Sequence, residues 1–180
     1  MSDMMFNEVG VKDPKQPYKY GDWKQYAVHD ANNIKGFFGE YRWLSNFHVA
    51  EVEYDGDMYP STENAYQAAK LAKEHRKALM VCSPAESKKL WKQYPLLDAS
   101  SADWDARKLS VMTLVTLDKY NKHLDLRKKL LDTGNKYLEE TNHWGDEFWG
   151  VDIRRGGANN LGKLLMNVRT FWQVWGRKTL

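Results

Sequence analysis

The chain has 180 residues, with 27 Lys plus Arg against 24 Asp plus Glu for a net charge of +3, one cysteine, eight tryptophans and ten tyrosines. That length allows one hydrophobic core, and no period typical of a solenoid recurs in it. The mild charge permits anionic ligands without demanding a nucleic-acid partner, and a lone cysteine excludes an internal disulfide.

No CxxC pair or HExxH is present, so no metal and no cofactor is expected. No stretch approaches the roughly 18 apolar residues of a spanning helix, and the N-terminus lacks a charged start followed by an apolar run. A cytoplasmic protein with no membrane partner is the expectation. Cys82 reads as a small buried hydrophobe.

Residues 1–33 mix Lys, Pro, Tyr, Asp and Asn without periodicity and read as an irregular extension, with the domain proper at 34–180. "FFGEYRWLSNF", residues 37–47, then gathers five rings around Glu40, Arg42, Ser45 and Asn46. A core strand would alternate apolar and polar residues, so this mixture reads as the wall of a pocket. "FHVAEVEYDGDMYP" reads as two strands joined by a tight turn at Asp55-Gly56, a pair that tolerates positive φ.

"PSTENAYQAAKLAKEHRKAL" predicts a helix capped by Ser61 or Thr62, with a narrow stripe of Ala65, Ala68, Ala69 and Ala72. A second helix opens on Ser83-Pro84-Ala85-Glu86, a capping box, and ends before Pro95. "SSADWDARKLSVMTLVTLDKYNKHLDLRKKLLDTG" reads as one long or two consecutive helices, capped by Ser100 or Ser101 and stopped at Gly134. "KYLEET" is a short strand. Leu161, Leu164, Leu165, Val168, Trp172 and Trp175 mark an amphipathic helix from Asn160 to about Trp175. The sum is α+β: a compact, mainly helical single domain with a few short antiparallel strands.

Three constellations carry possible chemistry. Glu63, Gln67 and Lys70 stand at i, i+4 and i+7, so a carboxylate, an amide and an amine share a helical face; the plain alternative is a solvated face. "HWGDEFWGVDIRRGGANNLGK" sets Asp146 between Trp144 and Trp149, then Arg154, Arg155, two glycines and a helix start at Asn159-Asn160. That is either a phosphate cradle or an ordinary turn and cap. Trp104, after Asp103 and one turn above Lys108, is a staple on the core or a platform for a ligand. The five histidines pair with no Ser or Cys by spacing.

Together "WLSNF", "YPSTENAYQAAK", "ADWDARKLSVM", "LLDTGNKYLEET", "DEFWG" and "NNLGKLLMNVR" resemble, in order, the blocks of the YbiA-like or NADAR family of N-glycosidases. The resemblance runs from about Gly36 to Arg169. It implies cleavage of a bond between ribose C1′ and a nitrogen. The substrates implied are ADP-ribosylated guanine in a nucleotide or nucleic acid, or the phosphoribosyl-amino-pyrimidine intermediates of riboflavin synthesis. It places catalytic residues at Glu63, Lys70 and Asp146. Trp104, Asn46, Phe47, Trp149 and Asn160 fall on its pocket positions, and Phe38, Glu40, Arg42, Trp43, Ser45, Tyr66 and Asn159 complete the expected substrate-binding set. Lys70 either neutralises a phosphate or attacks C1′ to form a Schiff base, the route the family favours. Where the family often has a second glycine after "WG", this chain has Val151-Asp152, and Asp152 is expected to narrow or charge the pocket. The rival is a module that binds ADP-ribose or an NAD-type nucleotide without cleaving it.

Overall fold

The structure is a computed structural model that describes residues 27–97 and 100–176. Its strands are β1 (Val28–His29), β2 (Asn33–Lys35), β3 (Val49–Tyr54), β4 (Asp57–Ser61), β5 (Tyr137–Glu139), β6 (Thr141–Asn142) and β7 (Val151–Asp152). The α-helices are α1 (Thr62–Ala68), α2 (Pro84–Leu90), α3 (Ser101–Lys122), α4 (Leu124–Asp132) and α5 (Asn160–Trp175), with short 3-10 turns between them. The chain divides into two compact units, Met1–Arg42 with Asn135–Met166, and Trp43–Gly134 with Asn167–Leu180.

In the first unit β2 pairs antiparallel with β1 and parallel with β5, and β6 pairs parallel with β7. The strands are as short as the sequence implies, but two of the four pairings run parallel. Ile34, Phe37, Leu138, Leu161 and Leu165 are buried at its centre. Gly162 permits the close approach of α5 to β5, since a Cβ there would stand 2.2 Å from the Leu138 carbonyl oxygen. Of the expected irregular extension, residues 1–26 lie outside the described residues, and Val28–His29 form β1.

In the second unit β3 and β4 form the expected hairpin, with positive φ at both Asp55 (54°) and Gly56 (81°). Positive φ at both turn residues matches the right-handed twist of the strands. The Ser61 hydroxyl caps α1 by accepting the Asn64 N–H. The helix expected to run on through "KLAKEHRKAL" stops at Ala68. Its following carbonyls find other donors: Ala69 from Arg107 Nη2 (2.7 Å), Lys70 from the Leu97 N–H (2.8 Å) and Leu71 from Arg76 Nε (2.9 Å). Tertiary partners override helix propensity here, and Ala72 falls outside the helix while Ala65, Ala68 and Ala69 are fully buried.

The capping box at Ser83 and Glu86 forms as expected, and Ser100 with Asp103 builds a second one on α3. The long helical stretch resolves into α3 and α4, parted at His123, whose extended backbone (φ −101°, ψ 90°) breaks the ladder. Gly134, at φ +61°, follows the end of α4. α5 has the bounds its periodicity predicts. No helix among the described residues is long and apolar enough to cross a membrane.

Candidate active site

The second unit brings together most of the predicted site. Ser61 starts α1 so that Glu63 falls in its first turn and Gln67 one turn on, and both are buried. Gln67 Nε2 donates to Glu63 Oε1 at 2.8 Å. Lys70 stands just past the helix, on a tightened turn in which its N–H donates to the Gln67 carbonyl at 3.2 Å. The shared face read from spacing is therefore turned inward at Glu63 and Gln67, and is not a solvated one.

Three rings surround the Lys70 amine: Trp91 at 4.1 Å from Nζ to centroid, Tyr66 at 5.3 Å and Trp104 at 5.4 Å. Tyr66 and Trp104 also touch each other, 5.1 Å between centroids, and Arg107 lies over the Trp104 ring at 4.8 Å. Trp104 is thus a wall of the amine's surroundings as well as a packing residue. Desolvation among these rings pulls the Lys70 ammonium down to about 8; the Glu63 carboxylate opposes this, and the charges of Lys88 and Lys92 reinforce it. Below that value a cation faces electron-rich rings; above it an amine becomes available as a nucleophile.

Trp91 has no place in the sequence reading. It opens the 3-10 turn that follows α2, and the Leu71–Leu96 bridge and the Leu97 N–H to Lys70 carbonyl bond draw its segment alongside Lys70. Nothing local in "KKLWKQYP" signals that. Lys92 adjoins it, and Lys88 Nζ lies over the Phe47 ring at 5.6 Å.

The Trp43–Phe47 segment is held from behind. Lys119, 1% exposed, donates to the carbonyls of Trp43 (2.8 Å) and Ser45 (3.1 Å). Ser45 Oγ accepts the Phe47 N–H, and the Asn46 carbonyl accepts the Glu63 N–H at 3.0 Å, tying this segment to α1. Trp43, Ser45 and Asn46 are buried, and the Asn46 amide donates to Met112 Sδ at 3.4 Å. Lys119 is a second residue the sequence did not disclose, because a lysine on a long helix reads as solvated.

The remaining predicted residues belong to the first unit, where several do structural work. Asp146 Oδ1 accepts the Trp149 N–H at 2.8 Å, and Asn142 holds both main-chain groups of Asp146. Asn159, at φ +52° and 2% exposed, accepts the Glu140 N–H and donates to Tyr137 Oη and the Leu138 carbonyl. Asn160 donates its side-chain amide to the Phe148 carbonyl. Of the two readings of the Gly-Gly-Ala-Asn-Asn stretch, the start of α5 forms the ordinary turn and cap. The N–H groups of Ala158, Asn159, Asn160 and Leu161 donate to the carbonyls of Glu147, Gly150, Phe148 and Trp149.

Asp152 turns to its own loop as well. Its carboxylate, 1% exposed, accepts the N–H groups of Gly145, Arg154 and Arg155. Burial pushes it up, but those N–H groups and the Arg154 guanidinium outweigh burial and hold it below its usual range. Arg154 also donates to the His143 carbonyl, and Arg155 pairs with Glu147 at 3.3 Å. Glu40 and Arg42 are exposed, Glu40 lying 3.7 Å from His29, while Phe38 and Trp149 are half-buried, the Trp149 ring edge-on to Phe148.

The NADAR domain matches residues 31–172 of this chain. An N-glycosidase of Nostoc punctiforme is 32% identical over 134 residues, covering 72% of this chain and 84% of that protein. N-glycosidase YbiA of Escherichia coli strain K12 is 32% identical over 151 residues, 81% of this chain and 91% of that one. A riboflavin biosynthesis protein of Vibrio vulnificus is 32% identical over 71% of this chain, which spans only 34% of that longer protein. The solution structure of Escherichia coli YbiA superimposes with a TM-score of 0.70 at 26% identity, over 85% of this chain and 92% of that one. A domain match that runs from the turn before β2 into the last turns of α5, with relatives and a fold in agreement, makes this chain a member of the NADAR family.

Proposed function

We propose that the protein is an N-glycosidase that hydrolyses the bond between ribose C1′ and a base nitrogen in a phosphorylated ribosyl compound. The observation that carries this is the Lys70 amine, boxed by three rings and brought to about 8, beside the buried Glu63 of α1.

Cleavage of a ribosyl–nitrogen bond develops positive charge at C1′ and the ring oxygen, which a preorganised carboxylate stabilises; that is the role of Glu63. The Lys70 amine attacks C1′ as the bond to the base breaks, and the base nitrogen takes up a proton. Ring opening then gives a Schiff base. Water adds to C1′, the amine departs, and the sum is sugar plus protonated base from substrate plus water. The lowered ammonium leaves more of Lys70 in the reactive amine form near neutral pH than an ordinary lysine has. Tyr66, Trp91 and Trp104 supply the flat surfaces on which a base stacks.

Two substrate classes stay in view. The name of the Vibrio vulnificus relative favours phosphoribosyl-amino-pyrimidine intermediates of riboflavin synthesis. The exposed Lys88 and Lys92, set among Phe47 and Trp91 and without a carboxylate partner among the described residues, favour a more anionic substrate, ADP-ribosylated guanine in a nucleotide or nucleic acid.

The test is chromatographic: quantify sugar released from early riboflavin intermediates and, separately, from ADP-ribosylated guanosine in DNA, against Glu63→Gln. Release that the substitution abolishes supports the reading and names the substrate. Tight ADP-ribose binding with no release from either would replace it with the binding module.

A further inference from the structure

α1 holds a buried residue, Gln67, to which the chemistry above gives no role. Gln67 is 4% exposed and Glu63 6%, and the Gln67 amide donates to Glu63 Oε1 at 2.8 Å. The other end of that amide, Gln67 Oε1, is buried with no hydrogen-bond partner. A buried acceptor without a donor is costly to keep. Exchanging the two ends of the amide would not relieve it, because Oε1 would then face a carboxylate oxygen, acceptor against acceptor. The carboxylate thus decides which way the amide points. Met or Leu here would fill similar volume and remove the orphaned oxygen, but only by taking from the buried Glu63 carboxylate the N–H it accepts, so the amide is explained by Glu63 and not by packing.

We infer that Gln67 is a positioning residue for the reaction: its N–H fixes the Glu63 carboxylate in the one orientation that meets the charge developing at C1′. The inference rests on Glu63 being the reacting carboxylate. A buried acceptor left unpaired beside a reacting group is a local departure of the kind expected where a side chain is kept for function.

The test is Gln67→Met, read by thermal unfolding and by kcat and KM on whichever of the two substrates the wild type turns over. The expected result is a folded enzyme with kcat lowered about tenfold or more and KM within about twofold, since orientation acts in the transition state. A folded Gln67→Met enzyme with kcat within about twofold of wild type would overturn the inference. If that variant does not fold, Gln67→Leu is read in the same way, and failure of both to fold would also overturn it, showing that the amide is held for stability. A double-mutant cycle gives an independent reading: once Glu63→Gln is in place, Gln67→Met should add no further loss, and an independent loss would count against it. Undiminished turnover by Glu63→Gln would sink the reading of Glu63 itself, whereas a slow Glu63→Gln beside a fast Gln67→Met sinks only the role of Gln67.

Discussion

The Lys70 amine lies over the Trp91 ring, 4.1 Å from its centroid, and that contact closes the third side of a box begun by Tyr66 and Trp104. Burial there, more than any neighbouring charge, brings the amine to about 8. Borohydride added during turnover should therefore trap a sugar adduct on Lys70, with a yield that rises as pH passes about 8, because only the neutral amine attacks. Lys70→Arg should trap nothing. Trp91→Ala admits water to the amine, so the rising limb should move to higher pH. Turnover that falls as pH passes about 8, together with no adduct, would assign Lys70 to phosphate binding.

Lys88 and Lys92 repel the charge on Lys70 and so help to keep it low. Replacing both with Gln removes that repulsion and should also move the trapping profile to higher pH, by less than Trp91→Ala does. Since both ammonium groups are exposed, the difference between wild type and the double variant should shrink as salt is raised toward 1 M, where the screening length is about 3 Å. A difference that ignores salt would show that the two lysines act by contact.

Glu63→Gln keeps the size of the side chain and removes its charge. Loss of one preorganised electrostatic contact to a transition state typically costs about 10²–10³ in kcat, roughly 2.7–4 kcal/mol. The expected outcome is a fall of that order with substrate affinity retained, measured by single-turnover kinetics and by equilibrium binding. A fall in affinity alone would point to uniform binding.

Asn159 predicts a stability effect in the first unit. Its side chain makes three hydrogen bonds, to the Glu140 N–H, Tyr137 Oη and the Leu138 carbonyl, at a φ of +52° that Ala rarely adopts. Asn159→Ala leaves those groups unpaired as well, so a loss of about 3 kcal/mol or more is expected in urea unfolding. Asn159→Gly relieves the backbone and should recover part of that loss.

What was legible along the chain was what a few adjacent residues decide. Asp55-Gly56 dictates a hairpin because both residues must take positive φ, and Ser83 declares a helix start because the cap and its Glu86 partner stand three residues apart, while the choice of Ser100 over Ser101 as the α3 cap came from the structure. The end of α1 was not legible: its sequence favours more helix, and it stops because Arg107, Leu97 and Arg76 claim the next three carbonyls. Whether the start of α5 is a phosphate cradle or an ordinary turn and cap was undecided along the chain for a related reason. A helix start advertises free N–H groups, and here the loop from Glu147 to Gly150 occupies them.

By itself, then, the sequence determined the α+β class, the bounds of α5, the hairpin, the helix starts and the placing of Glu63 and Gln67 on one face, since each follows from backbone periodicity and short-range hydrogen bonding. Only the tertiary structure decided that this face turns inward, that Trp91 closes the box around Lys70, and that Lys119 backs the segment carrying Asn46 and Phe47. Those relations join residues far apart along the chain. The burial that lowers the Lys70 amine is a property of the packed surroundings and of no residue within them.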